Sequence, residues 1–177
     1  SAKGGAIYND YIINSIDGNF ISNYAKSEKD DVYGGAIYND GNDLEDGLDT
    51  INGDFIANYV QTNDGTAYGG AIYNDLATIQ SVTGDFINNS AVSVKDKAEG
   101  GAINNNDSAF INELKGDFVG NYVKSTEKHA FGGAVYNDQG DRYSQGGIPV
   151  LEGNFLNNYA ISEKEKAFGG GLYTDGL

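Results

Sequence analysis

Apolar residues in this chain do not follow the 3.6-residue rhythm of an amphipathic helix; they form short β-branched or aromatic runs cut by Gly and Asn. One run opens on a Gly-Gly pair at Gly4 and returns at Gly34, Gly69, Gly100, Gly132 and Gly169. Its copies read GGAIYND three times, then GGAINNN, GGAVYND and GGGLYTD. A second run alternates with it: GNFISNYA at Gly18, GDFIANYV at Gly53, GDFINNSA at Gly84, GDFVGNYV at Gly116 and GNFLNNYA at Gly153. The whole chain is therefore a succession of repeats, and the period decides the fold before any single residue does.

Spacing sharpens the picture. Every second-motif Gly is followed 16 residues later by a Gly-Gly, whereas the step from Gly-Gly to the second motif is 14, 19, 15, 16 and 21 residues. Length variation is thus confined to one connection, after the IYND strand, with Gly41 to Gly47 and Asp138 to Gly147 the longest inserts. One coil with a single tolerant surface loop has this signature. Helical repeats of similar period need helix formers at 3.6 spacing, and a propeller blade needs four strands in about 40 residues. Two or three short strands per repeat are expected instead, wound as an all-β, parallel β-helix (β-solenoid) of about five coils of 30–37 residues over residues 1–177, with repeats beginning near 4, 34, 69, 100, 132 and 169.

Stacking equivalent positions about 4.8 Å apart turns each column into a ladder. Phe20, Phe55, Phe86, Phe118 and Phe155 are expected to form an interior aromatic stack, beside an aliphatic one of Ile7, Ile37, Ile72, Ile103, Val135 and Leu172. Asn23, Asn58, Asn89, Asn121 and Asn158 suit a turn whose side-chain amides hydrogen-bond along the axis. Asn9, Asn39, Asn74, Asn105 and Asn137 suit a second such corner, with Thr174 in the last copy. The small Gly-Gly-Ala column is expected to leave room for the Phe stack. Segments such as Lys26 to Asp31 and Lys124 to His129 read as a solvated corner.

Composition then narrows the partners. Eleven basic residues against 26 acidic ones give a net charge of −15, so the chain has no basic face with which to bind nucleic acid, and anionic membranes are disfavoured. With no Cys there are neither disulfides nor thiolate metal sites, and no apolar run reaches the about 18 residues of a membrane helix. The first and last repeats carry no polar cap, so the sequence is expected to belong to a longer array or to a unit that stacks on copies of itself end to end.

The paired motifs GGA[ILV] and FxxN, here Gly34-Gly35-Ala36-Ile37 with Phe55-Ile56-Ala57-Asn58 and their counterparts in the other repeats, resemble those of polymorphic outer-membrane proteins and related autotransporter passengers. The resemblance covers essentially the whole chain and implies a right-handed β-helix exported to a bacterial surface, with an adhesive role. It implies no particular ligand; a host-cell or matrix receptor or a glycan is the kind of partner it points to.

Candidate chemistry lies on the outward columns. If Ile faces inward, alternation turns Tyr8, Tyr38, Tyr73, Tyr136 and Tyr173 outward, as an interaction face that stacks on sugars or on a neighbouring rod. The plainer reading is that these rings only stack on each other and cover backbone. Asp10, Asp40, Asp75, Asp138 and Asp175 form an acidic column, and Asp54, Asp85 and Asp117 a partial one. Calcium is the cation such all-oxygen columns would suit, although neither a GGxGxD nonapeptide nor an EF-hand loop is present and a solvated acidic face is the simpler account. No cofactor is expected otherwise. A polysaccharide-active enzyme would gather its chemistry where the repeat breaks, and Arg142 and Tyr143 in the longest insert are the candidates; His129 sits in a charged corner that reads as surface. The expectation is a non-catalytic structural or adhesive segment, with a fibre subunit and a glycan enzyme as alternatives.

Overall fold

The computed structural model describes residues 1–41, 47–140 and 146–175. Each repeat contributes five short strands, as in Ala67–Tyr68, Ile72–Asp75, Thr78–Thr83, Phe86–Ile87 and Ser90–Ser93. Strands at the same place in successive coils pair in parallel, which builds five sheets: two of six strands and three of five. They are called here the first to fifth sheets, in the order the chain visits them. The protein is a β-solenoid of about five coils, and no helix occurs among the described residues.

Five strands per coil replace the two or three expected. The reason is backbone conformation at the corners. The first Gly of each Gly-Gly pair has φ between 55 and 65°, in the left-handed region, so the first sheet is cut from the second at a sharp bend. A further left-handed residue, Ser22, Ala57, Asn88, Gly120 or Asn157, separates the fourth sheet from the fifth.

The second glycine has a different task from the one expected of it. A Cβ on Gly35 would lie 2.0 Å from the carbonyl oxygen of Gly70 and 2.7 Å from the amide nitrogen of Tyr59, so this column clears the backbone of the next coil and of the fifth sheet. The following small residue is the one against the Phe stack: at Gly171, which replaces Ala there, a Cβ would meet the Phe155 ring at 3.1 Å.

Two cores run along the axis. The larger joins the Phe column to the Ile and Leu columns of the second and third sheets. Phe55, Phe86 and Phe118 are fully buried, with successive ring centroids 4.8 and 5.0 Å apart and planes within 4° of parallel. Such stacking adds about 0.5–1.5 kcal/mol per pair to the burial of the rings themselves. The smaller core is the Ala/Val pair of columns between the first and fifth sheets, such as Val60 and Ala67.

Register is kept on both sides of the variable connection. Asp40 pairs with Asp75 before it and Gly47 with Thr78 after it. Insertions there leave the coils in phase, which is why all length variation collects at that one place.

Candidate recognition surfaces

Polar ladders fix every coil on the next. Asn58 Oδ1 accepts from the backbone N–H of Asn23 at 2.9 Å and from its Nδ2 at 3.0 Å, while Asn58 Nδ2 donates to the Phe20 carbonyl at 2.9 Å and to Asn89 Oδ1 at 3.0 Å. The same arrangement continues through Asn89 and Asn121 to Asn158. In the second sheet, Asn9, Asn39, Asn74, Asn105 and Asn137 are joined Nδ2 to Oδ1 at 2.7 to 2.9 Å. Since these amides are largely buried, each lost partner would leave a desolvated polar group.

A third ladder escaped the sequence reading. Ser27, Thr62, Ser93, Ser125 and Ser162 end the fifth-sheet strands at the solvated corner. Ser93 Oγ donates to the Gly65 carbonyl of the preceding coil at 2.6 Å and accepts from the Asp96 N–H at 3.1 Å. Its signal was available: a hydroxyl stands nine residues after every second-motif Gly.

The acidic columns prove dissimilar. Asp54, Asp85 and Asp117 accept the backbone N–H of the next coil at 2.9 Å each, from Asp85, Asp117 and Asn154. In the other column Asp40 accepts from the Tyr8 hydroxyl at 2.9 Å and lies 3.8 Å from the Lys3 ammonium. Burial pushes the Asp75 carboxyl above the ordinary carboxylate range, against hydrogen bonding from Asn106. Asp138 caps the N–H of Gly140 at 2.8 Å, Asp10 is exposed, and Asp175 ends the last described strand. Among the described residues no three His, Cys, Asp or Glu side chains converge where a metal ion could sit.

The Tyr column of the second sheet corrects the expectation of an exposed face. Tyr38 and Tyr73 are 3% exposed and Tyr136 7%, whereas Tyr8, in the first coil, is open at 46%. The bend at the first Gly is concave on its outer side, so the first and second sheets turn their outward residues toward each other. Tyr33 stacks on Tyr68 at 5.1 Å, and both pack on Tyr73 at 5.0 and 5.4 Å. Further along, Phe131 stacks on Phe168 at 5.2 Å and Tyr136 on Tyr173 at 5.6 Å. Burial raises the hydroxyl pKa of Tyr38, Tyr73 and Tyr136 well above the ordinary value, and that of Tyr33 to about 12. These rings are a second packed layer.

One coil breaks that layer. Glu99 and Asn104 stand where its neighbours carry aromatic residues. Glu99 is 5% exposed; desolvation pushes its carboxyl up to about 7, against the pull of the Lys97 ammonium 3.9 Å away and a 3.4 Å hydrogen bond donated by Asn104 Nδ2. Asn104 Oδ1 is buried without a hydrogen-bond partner.

The aromatic face that does meet solvent belongs to the fifth sheet. Its column reads Tyr24, Tyr59, Ser90, Tyr122 and Tyr159, in register. Tyr24 stacks on Tyr59 at 5.3 Å and Tyr122 on Tyr159 at 5.1 Å, with Tyr24 56% and Tyr159 44% exposed. The Lys26 ammonium lies 4.9 Å from the Tyr59 ring centre, and Lys124 pairs with Glu163 at 2.7 Å. At Ser90 the ladder is interrupted, and a cleft of about 500 Å³ opens between Tyr59 and Tyr122.

The enzyme candidates divide. His129 Nε2 lies 3.0 Å from Glu165 Oε2, its Nδ1 accepts from the Lys166 N–H at 3.2 Å, and its ring meets Phe131 edge-on, so it serves the corner. Arg142 and Tyr143 lie outside the described residues. No family model matches the chain, and no curated protein or solved structure matches it.

Proposed function

We propose that this chain is a non-catalytic, adhesive β-solenoid segment of a bacterial extracellular surface protein, and that it recognises its target through the outer face of the fifth sheet. The observation that carries the reading is the solvent-facing tyrosine ladder of Tyr24, Tyr59, Tyr122 and Tyr159. Stacked phenol rings present broad, stiff, amphipathic area at small entropic cost, which suits recognition at an exposed surface. Two other outward columns are committed to the fold: Asp54, Asp85 and Asp117 bind backbone, and Tyr38, Tyr73 and Tyr136 are buried. The likeness of the GGA[ILV] and FxxN pairs to autotransporter passengers gives the same setting.

Fluorescently labelled chain applied to epithelial cells tests this. Saturable binding that a Tyr24→Ser, Tyr159→Ser variant weakens about tenfold is the expected result. Uptake that rises linearly with concentration, or that the variant leaves unchanged, contradicts it.

A further inference from the structure

The cleft at Ser90 has the dimensions and chemistry of a specific subsite. In register, Tyr59, Ser90 and Tyr122 occupy successive coils, so the two rings stand two coil spacings apart, about 10 Å. The intact pairs of the same column have centroids 5.3 and 5.1 Å apart. A single ring placed over Ser90 would therefore lie about 5 Å from each tyrosine, the spacing the ladder itself uses. Serine is the one small residue in the column, and the gap it leaves is one ring wide.

The walls of the cleft are aromatic, but its floor and rim are not. Ser90 forms the floor, and the rest of the lining is Ala57, Val92, Asn88 and Gln61 with Lys26 and Lys124. An aromatic guest would cover the Ser90 hydroxyl and leave it without a partner, at a cost of about 1–3 kcal/mol, and would make no use of Gln61, Lys26 or Lys124. A pyranose ring avoids that cost, because its C–H faces stack on the two phenols while its equatorial hydroxyls reach Ser90 and Gln61. Charge narrows the guest further. In a chain of 26 acids and 11 bases, both ionic groups lining this cleft are lysines. Lys26 already leans over Tyr59, at the mouth of the gap.

We propose that the break at Ser90 is a binding slot for one sugar ring bearing a carboxylate, a hexuronic acid unit of an acidic glycan. The proposal rests on the adhesive reading and supplies its ligand class. Tyr59 and Tyr122 clamp the ring, Ser90 and Gln61 take hydroxyls, and Lys26 and Lys124 meet the carboxylate. Lys124 exchanges Glu163 for the ligand, a pairing that is solvent-exposed and carries little net energy.

The test is a titration of the purified chain with a hexuronic acid tetramer and, separately, a neutral glucose tetramer, followed by the NMR shifts of Ser90, Tyr59 and Tyr122. Saturable shifts at these residues with the acidic tetramer only, weakening as salt rises, are expected. Ser90→Tyr completes the ladder and should keep the fold, seen as an unchanged or raised melting temperature, while binding falls about tenfold or more. Tyr122→Ser, which removes one wall, should weaken binding to a similar degree, and keeps the slot testable if the bulkier variant misfolds. Equal binding of both tetramers overturns the acidic class; binding that survives both substitutions, or none at millimolar tetramer, overturns the slot. A chain that holds cells but ignores hexuronates refutes the slot alone, and one that binds hexuronates through Ser90 but not cells refutes only the adhesive role.

Discussion

Glu99 makes the stability of this protein depend on pH in a way that one substitution should abolish. Its carboxyl titrates near 7 in the folded chain against 4.5 for an unburied glutamate, because desolvation outweighs Lys97 and Asn104; Asp96 and Asp138 add to the upward push. At about 1.4 kcal/mol per tenfold, the difference amounts to about 3 kcal/mol. With the folded value raised, neutral Glu99 is the favoured form. The stability it preserves is complete below about pH 4.5, declines as pH rises through 7, and is lost above about pH 8. Glu99→Gln keeps the shape and the hydrogen-bonding partner of Asn104 but cannot ionise. The two proteins should melt together at pH 4.5, and at pH 8.5 the variant should melt about 6–12 °C higher. Asp75 also titrates high, but it is common to both and cancels in the difference. Calorimetry of both chains across that range is the assay. A gap that does not vary with pH, or a variant less stable at pH 8.5, would refute the reasoning.

Other substitutions probe the ladders. Phe86→Ala empties a fully buried place between Phe55 and Phe118 and should cost about 3–5 kcal/mol by denaturant unfolding. Asn89→Ala strips Asn58 of its acceptor and the Phe55 carbonyl of its donor, so a loss of about 3 kcal/mol is expected from the same measurement. Ala57→Gly should do the opposite, raising stability by about 1 kcal/mol, since Ala57 holds φ at 55°, where a Cβ is unwelcome.

Much of this architecture was legible because a solenoid repeats its demands. A residue needed once per coil recurs once per period, so the Phe and Asn columns and the variable loop stand out in the sequence. What repetition does not reveal is the sense of a corner. Alternation correctly sets Tyr73 on the side of its strand opposite Ile72, yet at a concave bend the outer side is crowded, and Tyr73 is buried among Tyr33, Tyr38 and Tyr68. The solvent-facing tyrosines lie inside the second motif, one residue before the buried Ala/Val column, and the motif alone does not tell which of its faces meets solvent. Ser90 is visible as the single exception in its aromatic column, and Glu99, with Lys3 of the first coil, as an exception in another. Their importance depended on which face of the coil that column occupied, and spacing alone carries no such information.

The central claim is a division of labour between two tyrosine layers, one packing and one recognising. Melting temperature and cell binding measured side by side for Tyr73→Ser and Tyr59→Ser test it most directly. Tyr73→Ser should lower stability by about 3–5 kcal/mol and leave binding per folded molecule unchanged. Tyr59→Ser should shift the melting temperature far less and weaken binding about tenfold. If Tyr59→Ser binds as well as the parent chain, or if Tyr73→Ser loses binding while fully folded, the division does not hold.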